Sequence, residues 1–164
     1  MTKLQKGDIL SCTGTGFLSK GIQLFSRSRI NHTAMVVEIW GKLFIIDSQK
    51  DGTNPRPLQE WINKYNYEYV VHRPKHRAFD LKEISARAMS KVGHTPYDFK
   101  SLLWYQPRYM ISGKWRGKTG GDAEKRMYCS EFVAWVYNFP GWYKLSPQDV
   151  FEFLLIDNRF YIAK

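Results

Sequence analysis

The stretch His32–Ser48, HTAMVVEIWGKLFIIDS, decides the fold. Two runs rich in β-branched and aromatic residues, 32–39 and 42–48, flank Trp40-Gly41. Glycine readily takes the positive φ that a two-residue turn requires, so the stretch predicts an antiparallel hairpin. The turn also sets the register: Ile39 faces Lys42, Val37 faces Phe44 and Ala34 faces Asp47. His32 and Asp47 then share one face as diagonal neighbours, about 7–8 Å apart at the backbone and within reach of an imidazole and a carboxylate. A slip of one residue would send Asp47 to the opposite face.

Outward from the hairpin, strands and helices alternate irregularly. GDILSC (7–12) reads as a short strand, and FLSKGIQLFS (17–26) sets Phe17, Leu18, Ile22 and Phe25 at helical spacing. Pro57 opens a short helix over Leu58–Tyr65, and Tyr67–His72 is a strand ended by Arg73-Pro74. Phe79–Val92 is helical, with Asp80 as N-cap and Gly93 as the stop. A helix near 97–104 followed by an exposed loop is expected next, because the aromatic and basic residues of 94–126 follow no clean period. MYCSEFVAWVYN (127–138) is a helix stopped by Pro140-Gly141. Ser146-Pro147 starts another helix, and Arg159–Ala163 is a closing strand. No repeat or linker divides the chain, so residues 1–164 are expected to form one α+β domain.

The helix over 127–138 carries the most informative residue. Cys129, Phe132, Val133 and Val136 fall at i, i+3, i+4 and i+7, so Cys129 lies in the first turn and faces the core. Free amide donors and the macrodipole at a helix start stabilise an anion, which turns a thiol there into a candidate nucleophile. Cysteine is also among the most buried residue types, and plain packing is the competing reading. A nucleophile needs a base, and His32, His72, His76 and His94 are the candidates. Only His32 has a carboxylate, Asp47, placed by strand register to orient its ring.

Composition bounds the alternatives. The 164 residues, 43% of them hydrophobic, exclude wholesale disorder. A formal charge of +10 favours anionic partners: nucleic acid, anionic lipid and acidic wall polymers all fit it. Two cysteines cannot make a dense disulfide framework. The start, MTKLQKGDIL, lacks a signal-peptide core, and Phe132–Tyr137 is too short to cross a bilayer. A chain made and kept in the cytoplasm is expected, unless lysis or another route releases it.

The segments GDIL (7–10), SRSRINHTAMVVE (26–38), IDS (46–48), PLQEW (57–61), GHTPYDF (93–99) and YCSEFV (128–133) stand in a recognisable order. In that order the chain resembles the permuted NlpC/P60 group of papain-like cysteine hydrolases. The likeness is greatest to its YiiX/YebB-like branch, and the lecithin:retinol acyltransferases are more distant relatives. The resemblance implies a circularly permuted papain-like fold, an antiparallel sheet packed against helices, with the histidine-bearing strands ahead of the nucleophile helix. It also implies Cys129 as nucleophile, His32 as base and Asp47 as third polar residue, although the branch often has Glu at that last place. Thiolate attack on an amide or ester carbonyl, a thioester and its hydrolysis or transfer would follow, with the Cys129 amide donating to the oxyanion. No cofactor or metal is called for. An amide in a peptidoglycan-type peptide is the expected substrate, and lipid acyl transfer or hydrolysis is the alternative. Tyr128 is a candidate substrate-binding residue through its place beside Cys129, although an aromatic flanking a core helix is more often packing.

Other features compete less well. Cys12, His32, Asp47 and Cys129 are all chemically able to bind zinc, but no paired-ligand spacing occurs, and Pro74 keeps His72 and His76 off a common helix face. GKWRGKT (113–119) falls one residue short of a phosphate-binding loop. The basic and aromatic stretch YQPRYMISGKWRGKTGGDAEKR (105–126) is compatible with a non-catalytic nucleic-acid-binding module, with rings stacked on bases, but no recognised motif accompanies it. The same charge would also serve to dock a hydrolase on an anionic membrane or wall polymer.

Overall fold

The structure, a computed structural model, describes residues 2–14, 29–65 and 68–164. The helix expected over 17–26 lies outside the described residues. Among the described residues six strands form one antiparallel sheet: β1 (Ile9–Thr13), β2 (His32–Ile39), β3 (Lys42–Gln49), β4 (Gly52–Pro57), β5 (Glu68–Pro74) and β6 (Phe160–Ile162), in the order β4-β3-β2-β1-β5-β6. Among the same described residues six α-helices accompany them: α1 (Leu58–Tyr65), α2 (Leu81–Met89), α3 (Gln106–Ser112), α4 (Gly120–Ala123), α5 (Cys129–Val136) and α6 (Pro147–Ile156).

The hairpin forms in the register its turn dictates. Ile39 pairs with Lys42, Val37 with Phe44 and Met35 with Ile46. Both turn residues have positive φ, 50° at Trp40 and 74° at Gly41, the twist that suits a two-residue connection between right-twisted strands. Alternation along the strands then builds two cores. On one face Ile9, Met35, Val37 and Ile46 pack against Phe132, Val133 and Val136 of α5, with Ile84 of α2 and Leu154 of α6 beside them. On the other, Leu10, Cys12, Ala34, Val36 and Ile45 pack against Trp61 of α1. Removing a fully buried ring such as Phe132 would cost about 3–5 kcal/mol.

The helix boundaries follow their caps. Asp80 accepts from the Lys82 and Glu83 amides at the start of α2, and Ser146 accepts from the Asp149 amide at the start of α6. Two stretches differ from the sequence expectation. β4 has no counterpart in the sequence reading, because Asn54, Pro55 and Pro57 weaken any strand pattern; it is an edge strand, where a missing N–H is tolerated. The helix expected near 97–104 with a loop after it is instead a π-helical turn, Ser101–Tyr105, running directly into α3. The wider turn shifts the phase of the pattern by one residue, which hides a 3.6-residue period.

Candidate active site

The site is assembled where β2 and β3 meet the start of α5. Asn31 fixes the entry to β2: its amide nitrogen bonds the Cys12 carbonyl, and its side chain bonds both the N–H and the C=O of Gly14 at 2.9 Å. His32 follows as the first residue of the strand. Its Nε2 lies 2.9 Å from Asp47 Oδ2, the pair that the hairpin register predicts. Asp47 is fully buried and His32 nearly so.

Asp47 is saturated with donors. Oδ2 accepts from His32, from Gln49 Nε2 at 2.7 Å and from Trp61 Nε1 at 3.0 Å, while Oδ1 accepts from Arg56 Nε at 3.0 Å. Burial alone would raise the Asp47 pKa, but these partners, His32 foremost, hold it below the ordinary carboxylate value. The anion is therefore fixed in place inside the protein.

Cys129 approaches from the α5 side. Ser48, which alternates to the face opposite Asp47, donates to the Met127 carbonyl at 2.6 Å and ties β3 to the run into the helix. Met127 in turn bonds the Pro96 carbonyl, bringing segment 95–98 alongside. Gly52 permits the approach of that segment to β4: it has φ 90°, and a Cβ there would lie 2.9 Å from the Thr95 carbonyl oxygen. Tyr128 precedes α5 as its N-cap, and Cys129 opens the helix.

The sulfur meets a field built for an anion. His32 hydrogen-bonds Cys129, and because Nε2 is held by Asp47, Nδ1 is the nitrogen left to face the sulfur. The backbone N–H groups of Thr33 and Ser130 also donate to it. Burial pushes the Cys129 thiol up, yet the His32 charge and these three donors outweigh burial and leave it below an ordinary thiol. For His32 the balance runs in the other direction. Burial would lower it, but the Cys129 thiolate and Asp47 raise the imidazolium to about 10. The favoured state is a thiolate–imidazolium pair anchored by a carboxylate.

Glu131 caps the same helix by accepting from the Tyr128 amide at 3.1 Å. Burial raises its carboxyl above the usual range; the Tyr128 amide opposes the shift, and the charges of Asp98 and Cys129 add to it. Cys12 behaves oppositely to Cys129: burial first, then the charges of Asp47 and Cys129, raise its thiol. Tyr128 is fully buried with Tyr97, Leu102 and Cys129, and its hydroxyl donates to the Leu145 carbonyl.

Thus Cys129, His32 and Asp47 come together, with Tyr128 packed behind the sulfur. The sequence reading missed Arg56, Gln49 and the Thr33 amide. Arg56 sits on the unrecognised β4, and an amide donor leaves no side-chain signal. Trp61 stands in the PLQEW segment, but nothing local indicates that its indole reaches Asp47. The zinc reading of Cys12, His32, Asp47 and Cys129 does not fit, because both Asp47 oxygens are already engaged by N–H donors. Among the described residues no group of three or more His, Cys, Asp or Glu side chains is arranged to hold a metal ion. Nor, among those residues, is any helix long and apolar enough to cross a membrane.

Comparison with known proteins places the whole fold in a family. Residues 3–155 match the model of a family described as permuted papain-like amidase enzymes, YaeF/YiiX, the C92 family. A crystal structure described as the metalloprotein yiiX from Escherichia coli O157:H7 superposes with a TM-score of 0.59 at 22% identity, over 98% of this chain and 96% of that one. Comparison with curated protein sequences gives no match.

Proposed function

Because the chain belongs to the permuted papain-like amidase family of the YaeF/YiiX type, we propose that it hydrolyses an amide bond with Cys129 as nucleophile, His32 as general acid and base, and Asp47 as the group that orients His32. One observation carries the assignment: His32 is bonded to Asp47 on one nitrogen and to Cys129 on its other side, all three buried and Cys129 at a helix start.

In this mechanism the Cys129 thiolate adds to the amide carbonyl carbon, and the resulting oxyanion is stabilised by the Cys129 backbone N–H at the start of α5. The His32 imidazolium gives its Nδ1 proton to the leaving nitrogen as the C–N bond breaks, leaving a thioester and a neutral imidazole. A water molecule then loses a proton to His32 and attacks the thioester. The product departs as a carboxylic acid, which gives its proton to solvent, and the thiolate–imidazolium pair returns. Asp47 takes no proton: it fixes the ring and stabilises its cation. Tyr128 supports the sulfur from behind.

We assign a short polar peptide of the peptidoglycan type as substrate. A cleft of about 300 Å³ beside Tyr97, lined by Lys50, Asp51, Asn54, His94 and Thr95, carries both signs of charge and suits peptide carboxylate and amine groups better than an acyl chain. The test is intact-mass analysis of protein quenched in acid during incubation with such peptides. Wild type is expected to carry an acyl adduct on Cys129 and Cys129→Ala none. Turnover of lipid esters without any peptide adduct would transfer the site to lipid chemistry.

A further inference from the structure

The surface next to the site carries an arrangement that catalysis does not use. In the π-helical turn, Leu102 is buried against Tyr97, Tyr128 and Cys129, while its neighbours Leu103 and Trp104 are exposed. The apolar exposure continues along α3 through Met110 and Ile111, the last 88% accessible. Ser101, Leu102 and Gln106 form the inward face, so the element is amphipathic with part of its apolar surface in solvent.

Charge borders this stripe. Residues 99–121 contain five cations, Lys100, Arg108, Lys114, Arg116 and Lys118, and no acidic residue. Lys118 faces Asp98, and the other four are exposed. Arg108 lies over the Trp104 ring at 3.4 Å from its centroid, which keeps a cation beside the apolar side chains. Exposed leucine, isoleucine and tryptophan ringed by lysine and arginine match an interface that is apolar at depth and anionic at its surface.

We propose that the 100–116 surface docks the protein on an anionic lipid bilayer, with Leu103, Trp104 and Ile111 entering the headgroup region and Lys100, Arg108 and Lys114 meeting lipid phosphates. Nucleic acid fits less well. The rings of this stretch that would stack on bases are turned on one another: Trp115 packs against Tyr105, Tyr109 and Tyr143, with centroids 5.8–6.4 Å apart. Trp104 is exposed but carries the Arg108 guanidinium over its ring, and the most exposed large apolar side chain of the stretch, Ile111, is aliphatic, a group that bases do not recognise. Docking would bring the turn that walls Cys129 to the membrane surface. The inference concerns a surface and does not depend on Cys129 being a nucleophile.

The test is co-sedimentation with vesicles of equimolar phosphatidylglycerol and phosphatidylcholine, against vesicles of phosphatidylcholine alone. Binding to the anionic vesicles is expected, weakening as salt rises. Leu103→Gln with Ile111→Gln should lower partitioning about tenfold or more, as expected when two inserting side chains are made polar. Lys100→Gln with Lys114→Gln should lower it on anionic vesicles only. The Cys129 alkylation rate, unchanged in both variants, would show that the fold and site are intact. The proposal is overturned if neither vesicle binds. It is overturned equally if binding ignores the Leu103 and Ile111 changes, if the same face binds single-stranded nucleic acid in preference to vesicles, or if light scattering shows it closed by a second copy of the chain.

Discussion

Asp47 accepts four hydrogen bonds, one from the guanidinium of Arg56 and one from His32, and its hydrogen bond and buried charge add to the Cys129 thiolate in keeping the imidazolium protonated. Asp47→Asn removes that charge and leaves Arg56 facing a neutral group. The expected outcome is a fall of about tenfold or more in Cys129 alkylation at mildly acidic pH, since an opposite charge at this range moves a pKa by one or more units. Arg56→Gln should do less, because it removes one donor of four. In wild type, Cys129 should react well below the roughly pH 8.5 midpoint of a free thiol. Turnover should decline again towards about pH 10, where His32 gives up its proton. Because the two groups titrate together, the two limbs belong to the pair. Cys12, whose thiol is raised by burial, is the control: it should stay slow throughout. Peptide mass spectrometry after timed alkylation separates the two cysteines.

At the scale of elements, the hairpin holds both what the sequence makes legible and a local conflict. Period-two patterning and Gly41 fix the β2–β3 register, and the register alone places His32 beside Asp47. Likewise the i, i+3, i+4, i+7 stripe locates α5 and sets Cys129 at its start. What stays hidden is tertiary. Arg56 reaches Asp47 from a strand whose prolines disguise it, and Cys129 reaches His32 through the Ser48–Met127 tether, which has no periodic signature. Trp40 is the conflict, since it is 97% exposed yet sits at φ 50°, a left-handed conformation that favours Asn or Gly. Trp40→Asn keeps the turn and loses almost no packing. It should stabilise the protein by about 0.5–1 kcal/mol, the usual gain when a residue suits its backbone conformation. For a chain of this size that raises Tm by roughly 1–4 °C, measurable by thermal unfolding with and without the substitution.

For the molecule as a whole, pH dependence of stability points to a residue far from catalysis in role. His72 stands in β5 between Ile9 and Ile162, is fully buried, and neither ring nitrogen has a hydrogen-bond partner. Its ring meets Phe151 of α6 edge-on, with centroids 5.4 Å apart. Burial lowers its pKa from 6.5 to about 4. Between those values the unfolded chain binds a proton that the folded chain refuses, so stability falls as pH drops through this window and is fully present above it. The loss is about 3 kcal/mol by pH 4, a large share of the 5–15 kcal/mol typical of a folded protein. The catalytic pair acts at other pH values: His32 is raised rather than lowered, so its contribution is fully present below 6.5 and is lost steadily as pH rises from there to about 10. His72→Leu fills a similar volume without a titratable group. Urea unfolding at pH 4 and at pH 7 should show a smaller difference for His72→Leu than for wild type by about that amount. An equal pH dependence in both proteins would place the acid sensitivity elsewhere, Asp47 first, whose lowered carboxyl is ion-paired with Arg56 and joins β3 to β4.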